Sequence, residues 1–321
     1  EAEVTGEGTL RDLANASAAA RLESLTVTAH GQTLRNEGPM SIEYANRMVR
    51  FDSVKLASGP SSLEIGGSVP LDPEAGQGKM TLAANVDLQT ITALLPQAQR
   101  VEAKGTLAVR GTISGNLKAL DPNVNILLRD AVFQASPLRT PVSEISLAAS
   151  LGNDAAVVQS LQARIGEATV SAEATIPYGL LPGDLPIKKS AGPARVQAEV
   201  RDFNLRSISA VPENVSGNVS IELQAEAPRA DLQAVTGTAT LPEFELTMED
   251  LEINQERPTV VRLDSGRAVI EHLRLSGPGA TLEASGSMAL GQPGDLDIQA
   301  RGKINPAIAE WRNATLVGMV C

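Results

Sequence analysis

Apolar and polar residues alternate one for one through "GPSSLEIGGSVPL" at 59–71, and the alternation returns in "GEATVSAEATIPY" at 166–178 and "GPGATLEASGSMAL" at 277–290. Leu63, Ile65, Gly67 and Val69 share one parity, as do Val170, Ala172, Ala174 and Ile176, and Leu282, Ala284, Gly286 and Met288. The other parity is polar, carrying Glu64 and Ser68, then Ser171, Glu173 and Thr175, then Glu283, Ser285 and Ser287. A period of two marks a strand with one face in oil and one in water. Similar runs from Leu25 to Ala29, Val49 to Leu56, Thr106 to Ile113, Val124 to Phe133 and Ile145 to Leu151 predict further strands. "ALDPN" (119–123), "LGND" (151–154) and "LGQPGD" (290–295) read as turns between them. Three amphipathic stretches, "VDLQTITALLP" (86–96), "VRDFNLRSISAVP" (200–212) and "KINPAIAEW" (303–311), read as single turns of helix, and 178–194 as an inserted surface loop. The expected fold is therefore all-β, an antiparallel meander with short helical turns.

The likeness of the three stretches extends beyond their strands. "EGPMSIEYANRMVRFDSVKLAS" (37–58) parallels "ERPTVVRLDSGRAVIEHLRLS" (256–276), and 141–165 fills the same place in the middle copy. Gly59, Gly166 and Gly277 open the three strands, and their positions imply a tandem period of about 110 residues, with one residue inserted in the last copy. The units run 1–103, 104–215 and 216–312, with 313–321 beginning a further one. On this reading the chain is an internal stretch of a longer repetitive protein.

Composition narrows the function. The chain has 321 residues, 42% of them hydrophobic, yet only seven are aromatic, so Leu, Val, Ile and Ala must line whatever is buried. With 38 acidic against 27 basic residues the net charge is -11, and no basic cluster carries interleaved aromatics, which argues against nucleic acid as a partner. No run approaches the roughly 18 apolar residues of a membrane-spanning helix.

Nor is there a constellation for bond-breaking chemistry. His30 and His272 are the only histidines, stand at non-equivalent places, and lack a second ligand at metal spacing. Cys321 is alone at the chain end, "GQGKM" (76–80) lacks the spacing and ending of a phosphate loop, and Glu64 and Glu283 sit on the polar parity. Asn15, Asn214, Asn218 and Asn313 head glycosylation sequons at a chance frequency for so Ser/Thr-rich a chain. No cofactor, metal or enzymatic activity is expected.

What remains is the apolar parity. Inward positions are often Ala or Gly, as at Gly67, Ala172, Ala174, Ala284 and Gly286, which leaves room beside the sheet for an acyl chain. Each methylene withheld from water is worth about 0.8 kcal/mol, so a sixteen-carbon tail needs a continuous apolar track to avoid a penalty of roughly 12 kcal/mol. The residues expected to line such a track are Leu63, Ile65, Val69, Val170, Ala172, Ala174, Ile176, Leu282, Ala284 and Met288. A packed core closed to any ligand is the alternative for the same residues, and with it a secreted β-repeat adhesin or autotransporter-type stalk.

The stretch 95–151 orders a helical turn ending in Leu-Pro, a Gly-x-Leu-x-Val-x-Gly strand, an Asp-Pro turn, "RDAVFQ" and "VSEISLAASL". In this it resembles the TamB branch of the AsmA-like family. The resemblance implies a long curled antiparallel sheet, the β-taco, with a U-shaped apolar groove. It further implies a periplasmic protein anchored in the inner membrane, phospholipid transport to the outer membrane, and outer-membrane protein assembly with an outer-membrane barrel partner. The family's membrane helix and barrel-docking domain are expected outside this stretch.

Overall fold

A computed structural model describes residues 2–7, 16–29, 31–94, 103–134, 136–152, 154–181, 183, 186–248, 251–290 and 296–304. The protein is all-β, one large antiparallel sheet that does not close on itself. In chain order come β1 (Ala2–Glu7), β2 (Ser17–Leu22), β3 (Thr26–Ala29), β4 (Gln32–Asn36), β5 (Met40–Ala45), β6 (Met48–Ser58), β7 (Ser61–Pro70) and β8 (Gly78–Asp87). Helix α1 (Leu88–Leu94) follows, then β9 (Ala103–Asn116), β10 (Ala119–Phe133), β11 (Val142–Leu151), β12 (Ala155–Ile165) and β13 (Ala168–Pro177). The last ten strands are β14 (Ala194–Asn204), β15 (Val215–Ser216), β16 (Asn218–Ala227), β17 (Thr236–Leu241), β18 (Glu245–Met248), β19 (Leu251–Gln255), β20 (Thr259–Asp264), β21 (Arg267–Gly277), β22 (Ala280–Ala289) and β23 (Leu296–Ile304). They fall into two compact units. The first comprises Glu1–Gln134, Ser143–Leu161 and Ile176–Ala191, the second Ala135–Val142, Gln162–Thr175 and Gly192–Cys321.

The two units contain the same ladder. In the first, β1 pairs with β2, β2 with β5, β5 with the first half of β6, and β6 with β7. The far half of β6 pairs instead with β4, which carries β3, so the sheet forks along one long strand. In the second, β16, β17, β20, β21 and β22 repeat the sequence of pairings and β18–β19 repeats the branch. Register is shared as well: Met48 opposite Pro70 and Arg267 opposite Ala289 differ by 219 at both positions, and all six ladders carry this offset. The seventh, β22–β23 against β7–β8, differs by one because the connection before β23 is one residue shorter.

This register revises the sequence alignment. Ser58 faces Ser61 and Gly277 faces Ala280, so Gly277 is the counterpart of Ser58 and the third copy needs no inserted residue. The shared Gly-Pro has slid by one place within a two-residue turn: Gly59 takes the positive φ in the first, Gly279 in the second. The "ALDPN" turn is also corrected. The turn is Leu117–Lys118, closed by Asn116, whose carboxamide oxygen accepts from the Lys118 and Ala119 amides at 3.0 and 3.1 Å, and Pro122 sits in β10 opposite Ile113. Of the three helical turns, the first is α1 and the second shortens to a 3-10 turn at Leu205–Ser207; the third begins within β23 at 303–304, and its remainder lies outside the described residues. His30, Cys321, Asn15 and Asn313 also lie outside them.

Bulges fall between Phe51 and Val54, Ile270 and Leu273, Arg129 and Val132, and Val200 and Phe203. Ser53, Asp130 and Asp202, inside three of them, take left-handed backbone conformations. Each extra residue sharpens the local right-handed twist and bends its strand.

Burial follows an unusual course along the strands. Many of the most buried residues sit at strand ends, among them Ser58, Ser61, Val69, Pro70, Asn116, Ala168, Thr259 and Ala280, while Val124 and Ile253 are buried inside β10 and β19. Mid-strand apolar residues such as Leu63, Ile65, Leu82, Ala84, Val109, Leu223 and Val261 are only half-buried. A sheet packed in a sandwich buries its strand centres most, since these face the opposing sheet. Here the ends are covered by local structure. In the second unit Leu251, Ile253, Leu275 and Ala280 form a buried cluster with Phe244, Leu273 and Leu282 against it. In the first, α1 packs against β4, β8 and β9, and Asp87 caps it by accepting from the Thr90 amide at 2.9 Å. At the other end of the same strands buried Asp72 accepts from the Glu74 and Ala75 amides and pairs with Arg47.

Candidate functional site

Directly opposed residues of an antiparallel pair share a face, so register decides which side chains form a continuous surface. In the first unit one row runs Val4, Ala20, Ile42, Phe51, Gly67, Met80, Ile113, Pro122 across eight strands. In the second a row runs Ala172, Ala198, Leu223, Ala239, Val261, Ile270, Gly286, Ile298. Neither contains a polar side chain. At about 4.8 Å per strand each row extends roughly 34 Å. Shorter parallel rows flank them, among them Leu56, Leu63, Ala84, Val109, Ile126 and Val54, Ile65, Leu82, Gly111, Val124.

The residues expected from the sequence fall on this apolar face in different settings. Leu63 and Ile65 are half-buried in mid-strand rows. Ala172 belongs to the eight-strand row, Ala174 and Met288 share the neighbouring row through Val196, Ala225, Gly237, Leu263 and Ala268, and Val170 opposes Val200. Ala284 opposes Leu273 and Ala300, and Ile176 is half-buried near the end of β13. Val69 is buried at a strand end, Leu282 rests on the buried cluster, and Met288 is 48% exposed. Phe51, Met80, Ile42 and Val261 were not singled out by sequence, because membership of a row depends on pairing partners dozens of residues away.

Several row members keep large apolar areas in contact with solvent: Val4 is 76% exposed, Ile42 42% and Ile298 49%. Monomeric soluble proteins seldom leave a continuous apolar surface open to solvent.

The opposite face is polar and cross-linked by ion pairs in register. Lys55 Nζ lies 3.0 Å from Glu64, and at the counterpart positions Arg274 donates from Nε to Glu283 at 2.8 Å and approaches Glu256 at 3.6 Å. The hydrogen bond from Arg274, then its charge, hold the Glu283 carboxyl below the usual carboxylate range. A carboxyl depressed in the folded state stabilises above its unfolded pKa, and that contribution disappears as pH falls through the folded value. We expect Arg274→Ala to move the Glu283 titration up toward the ordinary range, read from its side-chain carboxyl resonance. A Glu283 titration unchanged in that variant would show that Arg274 is not its cause.

No three His, Cys, Asp or Glu side chains among the described residues are grouped to hold a metal ion. No helix among them is long and apolar enough to cross a membrane. No family model, curated protein or solved structure matches the chain.

Proposed function

We propose that this chain is a non-enzymatic conduit, its apolar face receiving phospholipid acyl chains. The observation that carries the reading is the pair of eight-strand rows without a polar side chain, whose mid-strand members are only half-buried. A hydrocarbon laid along such a row loses water at every strand, worth about 25 cal/mol per Å² covered. The buried strand ends act as rims, and the small residues at Gly67, Gly286, Ala172 and Ala198 leave room above the floor.

The sheet curls into a β-taco of about three units of roughly 110 residues, two of which make up the 219-residue offset. On the resemblance of 95–151 to the TamB branch, the protein is periplasmic, the full-length chain anchored in the inner membrane. Lipid transport to the outer membrane or assembly of outer-membrane proteins is its role, the barrel partner being met by regions outside this stretch.

Ile42→Asp and Ile298→Asp test the reading. Both positions are exposed enough to keep the charge solvated, so folding is expected to change by less than about 1 kcal/mol, while phospholipid co-purifying with the chain, measured by native mass spectrometry, falls severalfold. Full retention of lipid in both variants, or a folded wild-type chain free of lipid, contradicts the conduit. A second reading, a stalk with a filled interior, draws on the cluster of Leu251, Ile253, Leu275 and Ala280 beneath Leu282. It predicts that the Asp variants unfold.

A further inference from the structure

The polar face of the first unit holds a cavity of about 650 Å³ that the apolar rows do not touch. On its floor three cross-strand pairs follow one another along β9 and β10: Arg110 opposite Asn125, Ala108 opposite Leu127, and Thr106 opposite Arg129. Asn85 of β8, Ala148 and Ala149 of β11 and Gln159 of β12 complete the lining. Two features set it apart from an ordinary solvated face. Leu127, 39% exposed, is a large apolar side chain on an otherwise polar parity, the middle member of the run Ile126-Leu127-Leu128. Arg110 and Arg129 flank it, and neither guanidinium has a hydrogen-bond or ion-pair partner among the described residues. The nearest acids along the same rows are already engaged: Glu64, two strands from Arg110, pairs with Lys55 at 3.0 Å, and Asp87, two strands from Arg129, caps α1. In a chain of net charge -11, two arginines that have no partner among the described residues and border one cavity with no acid among its described lining are a specific arrangement.

We propose that this cavity binds an amphiphile with an anionic head. The Leu127, Ala108 and Ala148 surface takes the apolar body, and Arg110 or Arg129 takes the head, a guanidinium being suited to the paired oxygens of a carboxylate or phosphate monoester. The volume lies within the range of small-molecule sites, about 300–1,000 Å³. The site is on the opposite face from the proposed conduit and does not rest on it.

The test uses the whole chain with dodecyl phosphate below its micellar concentration, observed through the side-chain amide resonances of Asn125 and Gln159. Saturable shifts of both are expected, with affinity at least about tenfold weaker in Arg110→Gln/Arg129→Gln, the loss that one charge-assisted hydrogen bond of about 1.5 kcal/mol represents. Ile42→Asp, on the other face, should leave the titration unchanged. Dodecanoate in place of dodecyl phosphate distinguishes a carboxylate from a phosphate head, and saturation by either supports the site. Equal shifts with uncharged dodecyl maltoside, equal affinity for inorganic phosphate, an unaffected double Gln variant, or loss of binding in Ile42→Asp would each overturn it.

Discussion

Leu275→Ala is expected to cost about 2–5 kcal/mol, the span observed when a fully enclosed leucine is truncated and its site cannot collapse. Leu275 is 2% exposed and closes the cluster with Leu251, Ile253 and Ala280, while its backbone opposes both Gln255 of β19 and Leu282 of β22. Removing it opens a void where the branch hairpin meets the main ladder. The counterpart, Leu56, is only half-buried, so Leu56→Ala should cost clearly less. Urea unfolding followed by far-ultraviolet circular dichroism measures both. Equal losses would mean that the second unit's cluster is no better packed than the first unit's.

Gly67→Ala is expected to destabilise by about 3 kcal/mol or more, combining a strained left-handed conformation with overpacking. Gly67 has φ +105°, and a Cβ there would sit 2.2 Å from the Lys79 carbonyl oxygen. That oxygen belongs to the paired strand and cannot withdraw without breaking the ladder. Gly286 stands 219 residues later, with φ +153° and the Asp297 carbonyl 2.1 Å from the same imagined atom. Gly286→Ala is therefore a replicate inside one molecule. A loss below about 1 kcal/mol at either glycine, in the same denaturation experiment, would show that the neighbouring strand yields. Both residues also lie in the eight-strand rows, so any side chain added there raises the floor of the apolar track.

The alternation in β7, β13 and β22 made the strands and their apolar face legible from composition and period alone. Pairing was less accessible. Nothing in "SVKLAS" announces that β6 serves β5 with one half and β4 with the other, because the fork arises from tertiary pairing. The bulges escaped for a related reason: Ser53, Asp130 and Asp202 are ordinary residues for a strand surface, and only the partner's register reveals the extra position. "ALDPN" misled because Asp-Pro is a common turn signal, whereas the carboxamide of Asn116 closes the turn three residues earlier. Met288 and Val69 hold matching positions at 48% and 5% exposure, a contrast that alternation cannot encode, since it depends on what covers the strand end. For the cavity on the polar face the sequence did carry a signal, the broken alternation at Leu127.

Identical hydrogen-bond register at a constant spacing of 219 residues has an evolutionary consequence. Recombination between the two copies, at equivalent positions of their matched strands, would delete or add one whole spacing and keep the pairing register of the six shared ladders. A gene built this way can change the length of its product in large steps while its strands keep their register.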